Sequence, residues 1–586
     1  MRKISGARLT ATGVAFSLWA PNAKRVDVVI DGNKHPMQPA QNGWFEIELK
    51  GLRAGTRYRF RINDETDVPD PASAFQPQDV SGPSEVTDHS AYQWREDGWK
   101  GRPWEDVILL ETHVGTFTPK GTYRSMVERL DDVVAAGFTA IELMPLADFS
   151  GSRNWGYDGV LWSAPDHVYG RPEDLKALID EAHRRGLMVF LDVVYNHFGP
   201  EGNYLGLYAP QFFTDAHTPW GSAIDYARQE VRDFAVENAV AWLRDYRFDG
   251  LRLDAVHAIL KRGDVPMLNE LSRAVGELAR QTGRHLHLVL ENDDNEAGLL
   301  DPAEDPHAGR YRAQWNDDYH HAWHVLLSGE NQGYYSDYAP DPGRHLVRIL
   351  SSGFAYQGEP SPHRDGARRG EPSGALAPTA FLVFLQNHDQ IGNRALGERL
   401  DALAPRQAVA AALQVTLLAP SIPMLFMGEE WGAGTPFPFF CDFHGELAEA
   451  VRNGRRKEFA AAYADHGDQV PDPLDKATFD AAVLRWDERE TPQGKERLDL
   501  VRRLNDVRKR QIIPRLRGAR FGSANISDSG LLTADWQLGD GSRLSLAANL
   551  GGNSQQRPSA QGETIWGDNG SQLGPWSVVW QLQARA

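Results

Sequence analysis

Four short segments in the middle of the chain carry the residue types that acid–base and nucleophilic chemistry needs. In order they are DVVYNH (192–197), DGLRLDAVH (249–257), LENDDN (290–295) and FLQNHDQIGNR (384–394). Each lies on or just after a short apolar run, as the end of a strand would. Acids at the C-terminal ends of different parallel strands converge on one face of a β/α barrel, where such barrels do their chemistry.

Asp254 ends the run Arg252-Leu253-Asp254. Residues i and i+2 of a strand point to the same side, so Arg252 and Asp254 face together. An adjacent guanidinium holds a carboxylate ionised, which is the state a nucleophile requires; a purely structural ion pair fits the same two residues. Glu291 ends the apolar run 286–290. Apolar surroundings favour the protonated acid, so Glu291 suits a general acid. Asp293 and Asp294 compete for that role, and if ionised their charge would help to keep Glu291 protonated; a solvated acidic turn is the plainer alternative. Asp389 follows His388, and a carboxylate beside an imidazole suits vicinal hydroxyls. His197 offers a second imidazole. Two acids with opposed proton affinities and a third that binds hydroxyls describe glycoside hydrolysis, in whose retaining form the two carboxyls lie about 5–5.5 Å apart. The rings in Asn154-Trp155-Gly156-Tyr157-Asp158 lie next to hydrogen-bonding groups, as a sugar face would want. Metal-dependent hydrolysis needs clustered ligands at conventional spacing. His285-x-His287 precedes its strand end, and no dense carboxylate loop exists, so the sequence predicts neither a metal nor a cofactor.

These groups need a scaffold. From 101 to 518 the pattern alternates between strands and helices. Strands are predicted at 107–112, 140–145, 188–195, 250–254, 286–291, 313–317, 381–386 and 424–428, and eight strands close a barrel of this kind. Helices are predicted at 123–136, 172–185, 228–245, 265–282, 406–418 and 497–510. Long loops at 198–226 and 356–378 interrupt the pattern, and loops of that length are often functional. Residues 1–100 read as a β-sandwich of short strands with Gly and Pro turns, followed from 67 by an irregular linker. Residues 519–586 return to short β segments at 543–549, 562–566 and 578–583, read as a second sandwich. The predicted fold is therefore multidomain, a central (β/α)8 TIM barrel between two β-sandwiches.

The formal net charge of −18 argues against nucleic-acid or anionic-membrane partners, which need a basic surface. The single cysteine, Cys441, allows no intrachain disulfide and is predicted to be buried. No apolar run reaches the roughly 18 residues that cross a bilayer, and GVAFSLWAP (13–21) reads as a strand rather than a signal peptide. The expectation is a cytoplasmic protein, a monomer or weak oligomer.

DVVYNH, DGLRLDAV, Glu291 and NHD resemble, in order and spacing, the four signature regions of the α-amylase superfamily of retaining glycosidases and transglycosidases. The resemblance covers the whole barrel. It implies Asp254 as nucleophile, Glu291 as acid/base and Asp389 as transition-state stabiliser, with Asp192, His197, Arg252, His257 and His388 lining or supporting the same subsite and Tyr157 stacking under the reacting sugar. FSLWAPNAKRVDVVIDG is similar to the sandwich preceding the barrel in branching enzymes, isoamylases and their trehalose-releasing relatives. YNHFGPEGNY, WNDDYHH, LENDDN and FLQNHDQIGNR look most like the trehalose-releasing group, which implies cleavage of the α-1,4 bond next to the terminal α,α-trehalose of maltooligosyltrehalose, an α-glucan-derived substrate. On that reading the leaving-group side is carried by Asp317, Asp318, His321, Trp220 and the 437–440 stretch. The alternative is a 1,4-α-glucan branching enzyme. Gln390 stands where those typically have glutamate, and the run after Glu291 departs from theirs. A glycan-binding barrel without activity would be favoured by loss of one of the three acids, and all three are present.

Overall fold

The computed structural model describes residues 5–218, 221–260, 265–300, 311–460, 467–559 and 561–585. Eight short apolar runs pair in parallel, in chain order, and close on themselves. They are β1 (Leu109–Thr112), β2 (Ala140–Leu143), β3 (Met188–Val193), β4 (Gly250–Leu253), β5 (His287–Leu290), β6 (Ala313–Trp315), β7 (Phe381–Val383) and β8 (Ile422–Phe426). β1 pairs with both β2 and β8, which completes the barrel. Each lies within or beside its predicted run.

Alternation along the strands sorts the barrel interior by height. The lower layers are apolar: Leu109, Ala140, Met188, Phe190, Val289, Ala313, Trp315, Leu382 and Met424 form one buried cluster. Two residues further along the same inward-facing rows come Asp192 after Phe190, Glu291 after Val289 and Asp317 after Trp315. The strand pattern itself delivers the acids to one rim. Gly250 is required for the packing beneath them, because a Cβ there would lie 2.3 Å from the Phe190 ring.

The predicted helices form, two of them with changed bounds, and three more, Asp317–Ser328, Pro342–Ser352 and Gly445–Glu458, stand beside them. The segment predicted as one helix over 123–136 is two, Tyr123–Val127 and Leu130–Ala135; Arg129 leaves helical geometry at φ −109°, ψ −3°, with its guanidinium over the Trp486 ring. The helix predicted from 497 begins at Pro492, where Thr491 Oγ accepts from the Gly494 N–H and proline suits the first position. It ends in a π turn over Arg508–Ile512.

The N-terminal region forms two facing sheets. One holds Gly6–Leu9, Gly13–Trp19, Trp44–Lys50 and Gln38–Pro39, and the other Asn33–Pro36, Val26–Ile30, Arg57–Ile62 and Thr66–Val68. Phe16 from one packs edge-on against Tyr58 from the other, 4.9 Å apart. The C-terminal region is a five-stranded antiparallel sheet with a two-stranded ribbon beside it. Two of its strands, Arg520–Ile526 and Leu531–Gln537, precede those predicted; FGSAN offers no apolar alternation to mark the first. Trp566 and Trp580 donate indole N–H groups to Gln414 and dock this sheet on the barrel helix Arg406–Leu418. Cys441 is buried, as predicted. Among the described residues no helix is long and apolar enough to cross a membrane.

Candidate active site

The rim acids meet on a single cation. Arg252, fully buried, sits with its guanidinium 4.1 Å from the centre of the Trp315 ring. Its Nη1 donates to Asp192 Oδ2 and to Asp254 Oδ1, each at 2.8 Å, and its Nη2 lies 3.8 Å from Glu291 Oε2. Three carboxylates from β3 and the ends of β4 and β5 therefore share one fixed positive charge. Asn196 Nδ2 donates to the second oxygen of Asp254 at 2.9 Å, so both oxygens of that carboxylate are held in place.

Glu291 has a different environment. Its Oε2 accepts the Ala255 N–H at 2.6 Å. Ala255 stands at φ +45°, a left-handed conformation that costs a non-glycine residue energy and turns the amide after Asp254 towards Glu291. Burial pushes the Glu291 carboxyl up, and Asp254 and Asp389 push the same way against Arg252 and His257. An ion-paired carboxylate next to a carboxyl of raised proton affinity is the pairing that glycosidic bond cleavage uses.

Asp389 lies in the first turn of the short helix His388–Gly392 and is more open to solvent. Asn387 Oδ1 caps this helix by accepting from Asp389 N–H, while Gln390 Oε1 accepts from Asn387 N–H. The His388 ring is buried between Tyr157, stacked on it at 5.1 Å, and Glu111, which hydrogen-bonds its Nδ1; its Nε2 lies 3.6 Å from Asp389. Burial works against a charge on His388, but Glu111 and Asp389 outweigh it and lift the imidazole to about 9. Tyr157 donates its hydroxyl to Asp192 at 2.5 Å. His197 presents its two ring nitrogens to two acceptors, Nε2 to the Tyr157 carbonyl at 2.9 Å and Nδ1 to Asn196 Oδ1; burial lowers its pKa against Asp254 and the Tyr157 carbonyl, and the ring positions Asn196 and the Tyr157 backbone.

Family models match three parts of the chain: a carbohydrate-binding module 48 (isoamylase N-terminal domain) over residues 5–76, an alpha amylase catalytic domain over 80–207, and a domain of unknown function over 519–580. The malto-oligosyltrehalose trehalohydrolase of Deinococcus radiodurans is 44% identical over 502 residues, 85% of this chain and 81% of the relative. The chain belongs to the malto-oligosyltrehalose trehalohydrolase family. A crystal structure of an alpha-amylase-like protein from Salmonella typhimurium superposes with a TM-score of 0.93 at 43% identity and covers 99% of both chains. The 1,4-alpha-glucan branching enzyme of Corynebacterium jeikeium matches more weakly, 33% identical over 44% of this chain and 40% of its own length.

Within this trehalohydrolase-family barrel several sequence expectations change. Asp318 is not available to a ligand. It is fully buried and its carboxylate is saturated by Tyr338 Oη, Asn295 Nδ2, the Ala355 and Tyr356 amides and the Arg369 guanidinium. As the second residue of the helix Asp317–Ser328, it turns inward while its neighbour turns to the rim. Asp293 is not a free acid and does not compete for the proton that Glu291 would donate. Although burial opposes it, Arg369 and Arg364 hold its pKa at about 2, ionised and ion-paired, and Arg364 also pairs with Asp294. Phe437 and Phe440 are core residues packed on Trp155 and His113. His321 is buried against Tyr334 and Tyr338. Trp220 lies outside the described residues.

Asp317 remains at the rim, within 3.4 Å of Gln390 Nε2. Burial pushes it well above the usual carboxylate range, reinforced by Glu291, Asp293 and Asp389. His257 lies on the short helix Val256–Leu260, half-buried, and its charge acts on Glu291. Glu111, Arg364 and Arg369 were not among the expected residues. Glu111 had a signal, a lone acid closing the apolar run 107–110. The two arginines sit on the hairpin Glu359–Pro360/Arg368–Arg369 inside the long 356–378 loop, where nothing in the local sequence marks them.

Proposed function

We propose that the protein hydrolyses the α-1,4-glucosidic bond next to the terminal α,α-trehalose of maltooligosyltrehalose, releases trehalose and retains the anomeric configuration. The observation that carries the chemistry is Arg252 clamping Asp192 and Asp254 while Glu291 is left with a raised proton affinity. Family membership supports the substrate.

Glu291 passes its proton to the glycosidic oxygen as Asp254 attacks the anomeric carbon and the C1–O bond breaks. Arg252 and Asn196 fix the attacking carboxylate, so no reorganisation is needed at the moment of reaction. Asp389 and the His388 cation hold hydroxyls of the distorted sugar, with the Tyr157 ring against it. Glu291, now ionised, takes a proton from water; the water oxygen bonds to C1 and Asp254 leaves. Asp317, carrying a proton, donates to a hydroxyl on the leaving-group side, with Asp192 and His257 as supports. The Arg364–Asp293–Arg369 bridge holds the chain after Glu291 and shapes that side, where a bent 1,1-linked unit must be preferred over a straight maltosyl one. A hollow beside Asp389 lined by Tyr334, Tyr335, Gln390, Asn393, Arg394 and Glu398 offers space for further sugar units.

Incubation with maltooligosyltrehalose and, separately, with amylose tests the reading. Free trehalose from the first and little change in the second supports it. New α-1,6 branch points in amylose without trehalose release would establish the branching alternative.

A further inference from the structure

Away from the rim, the hairpin after β2 brings together three residues that the sequence separates. Ala147–Asp148 pairs antiparallel with Leu161–Pro165, and the turn leaving the second strand carries Asp166 and His167. One ligand atom from each of Asp148, Asp166 and His167 lies within 4.8 Å of the others. The His167 Nδ1 is 3.6 Å from Asp148 Oδ1 and 3.5 Å from Asp166 Oδ1.

The Asp148 carboxylate is fully buried, the backbone N–H of His167 is the donor that faces it, and neither oxygen has a well-formed side-chain partner; the His167 Nδ1 has none either. Asp166 is equally buried and has one backbone partner on each oxygen, the Val168 and Phe149 amides, which leaves a lone pair on each. Among the described residues no Lys or Arg pairs with either aspartate. Asp79 lies nearby, its own oxygens taken by the Val80 and Gly151 amides, and it adds negative charge beside Asp148. A buried carboxylate with no cationic or side-chain partner next to a second carboxylate is unstable unless something positive or a shared proton joins them.

We propose that Asp148, Asp166 and His167 bind a divalent transition-metal ion of the zinc class, which ties the two strands of this hairpin together. Zinc takes imidazole nitrogen and carboxylate oxygen at about 2.0–2.2 Å in tetrahedral sites, so neighbouring ligand atoms stand roughly 3.3–3.6 Å apart. Both Nδ1–Oδ1 separations fall at that spacing. Calcium and magnesium prefer all-oxygen sets, and the imidazole counts against them. The fourth position is left to water. The role is structural: the hairpin carries the 149–160 loop, and with it Trp155 and Tyr157. The sequence gives no hint of the site because Asp148 and Asp166 are far apart until the strands pair.

The full-length protein, stripped with chelator and dialysed, is titrated with zinc chloride, with bound metal measured by elemental analysis and unfolding followed by heat. Expected is one tightly held Zn2+ per chain and an unfolding midpoint that rises with zinc concentration. Both responses should be lost in Asp148→Asn, which keeps the shape of the side chain, and in His167→Ala, whose ring is partly exposed. A wild-type protein that retains no zinc and shows no zinc-dependent midpoint overturns the proposal, as does equal zinc retention by Asp148→Asn. Either result would leave a proton shared between the two carboxyls as the explanation.

Discussion

Replacing Glu111 by Gln removes the charge that holds His388 protonated while keeping an oxygen for its ring N–H. Both side chains are almost fully buried, so little solvent screening intervenes. His388 is raised from its ordinary 6.5 to about 9 in the folded protein. At about 1.4 kcal/mol per tenfold change in proton affinity, this corresponds to about 3 kcal/mol of pH-dependent stability. A group whose folded pKa is raised stabilises fully below its unfolded value and loses that contribution as pH rises through the folded one. The contribution is thus complete below pH 6.5 and gone somewhat above pH 9. Thermal or denaturant unfolding of the barrel, measured from pH 6 to 10, should show the wild type losing about 3 kcal/mol more than Glu111→Gln over that window. At pH 6 the variant should be the less stable of the two, and near pH 10 the difference should narrow. Parallel pH profiles for the two proteins would refute the argument and would mean that His388 is neutral at pH 7, hydrogen-bonded to Glu111 without charge.

Asp254→Asn should fold normally and lower kcat by roughly four to six orders of magnitude, the range for removing a catalytic nucleophile; residual turnover above a hundredth of wild type would remove Asp254 from that role. Tyr157→Phe deletes the hydroxyl bond to Asp192 and should reduce kcat/KM by roughly 10- to 100-fold, as leaving a buried carboxyl short of a hydrogen-bond partner does, and steady-state kinetics with unchanged circular dichroism would check it. The rate should fall as pH rises through the elevated pKa of Glu291, since the acid must hold its proton before each cleavage. A kcat profile whose alkaline limb persists unchanged in Glu291→Gln, assayed on a substrate with an activated leaving group, contradicts that assignment. Asp318→Ala should destabilise by about 3–5 kcal/mol, because it leaves Arg369 buried with one partner fewer, yet alter KM little. A large KM effect without loss of stability would return Asp318 to the substrate-contacting set.

The barrel was legible because its strands are written as apolar runs ending in acids, and the inward period of two carries each acid to the same rim. Asp254 and Glu291 could be placed for that reason, as could the Arg252–Asp254 pair; Asp389 instead stands in the first turn of the helix that follows its strand. What the sequence concealed depends on long-range docking. The neighbouring acids Asp317 and Asp318 look equivalent in WNDDYHH, but one turn of helix sends them to opposite environments. Asp293 reads as a free acid until Arg364 and Arg369 arrive from a loop some 70 residues on. The 437–440 stretch is expected on the leaving-group side from resemblance alone, and the sequence could not show that Phe437 stacks on Trp155 in the core.

Arg252 also bears on how the barrel assembles. Its two close carboxylate partners come from β3 and the end of β4, a third lies at the end of β5, and its ring platform is on β6. A half-formed sheet that stops short of these strands contains an interior guanidinium lacking part of this surround, and a charge in that position is strongly unfavourable. Intermediates with four or five strands docked are therefore disfavoured relative to both the looser chain and the finished barrel. The residue that organises the chemistry also makes closure of this part of the barrel more nearly all-or-none, so an intact catalytic rim is evidence that the strands beneath it have met in the right register.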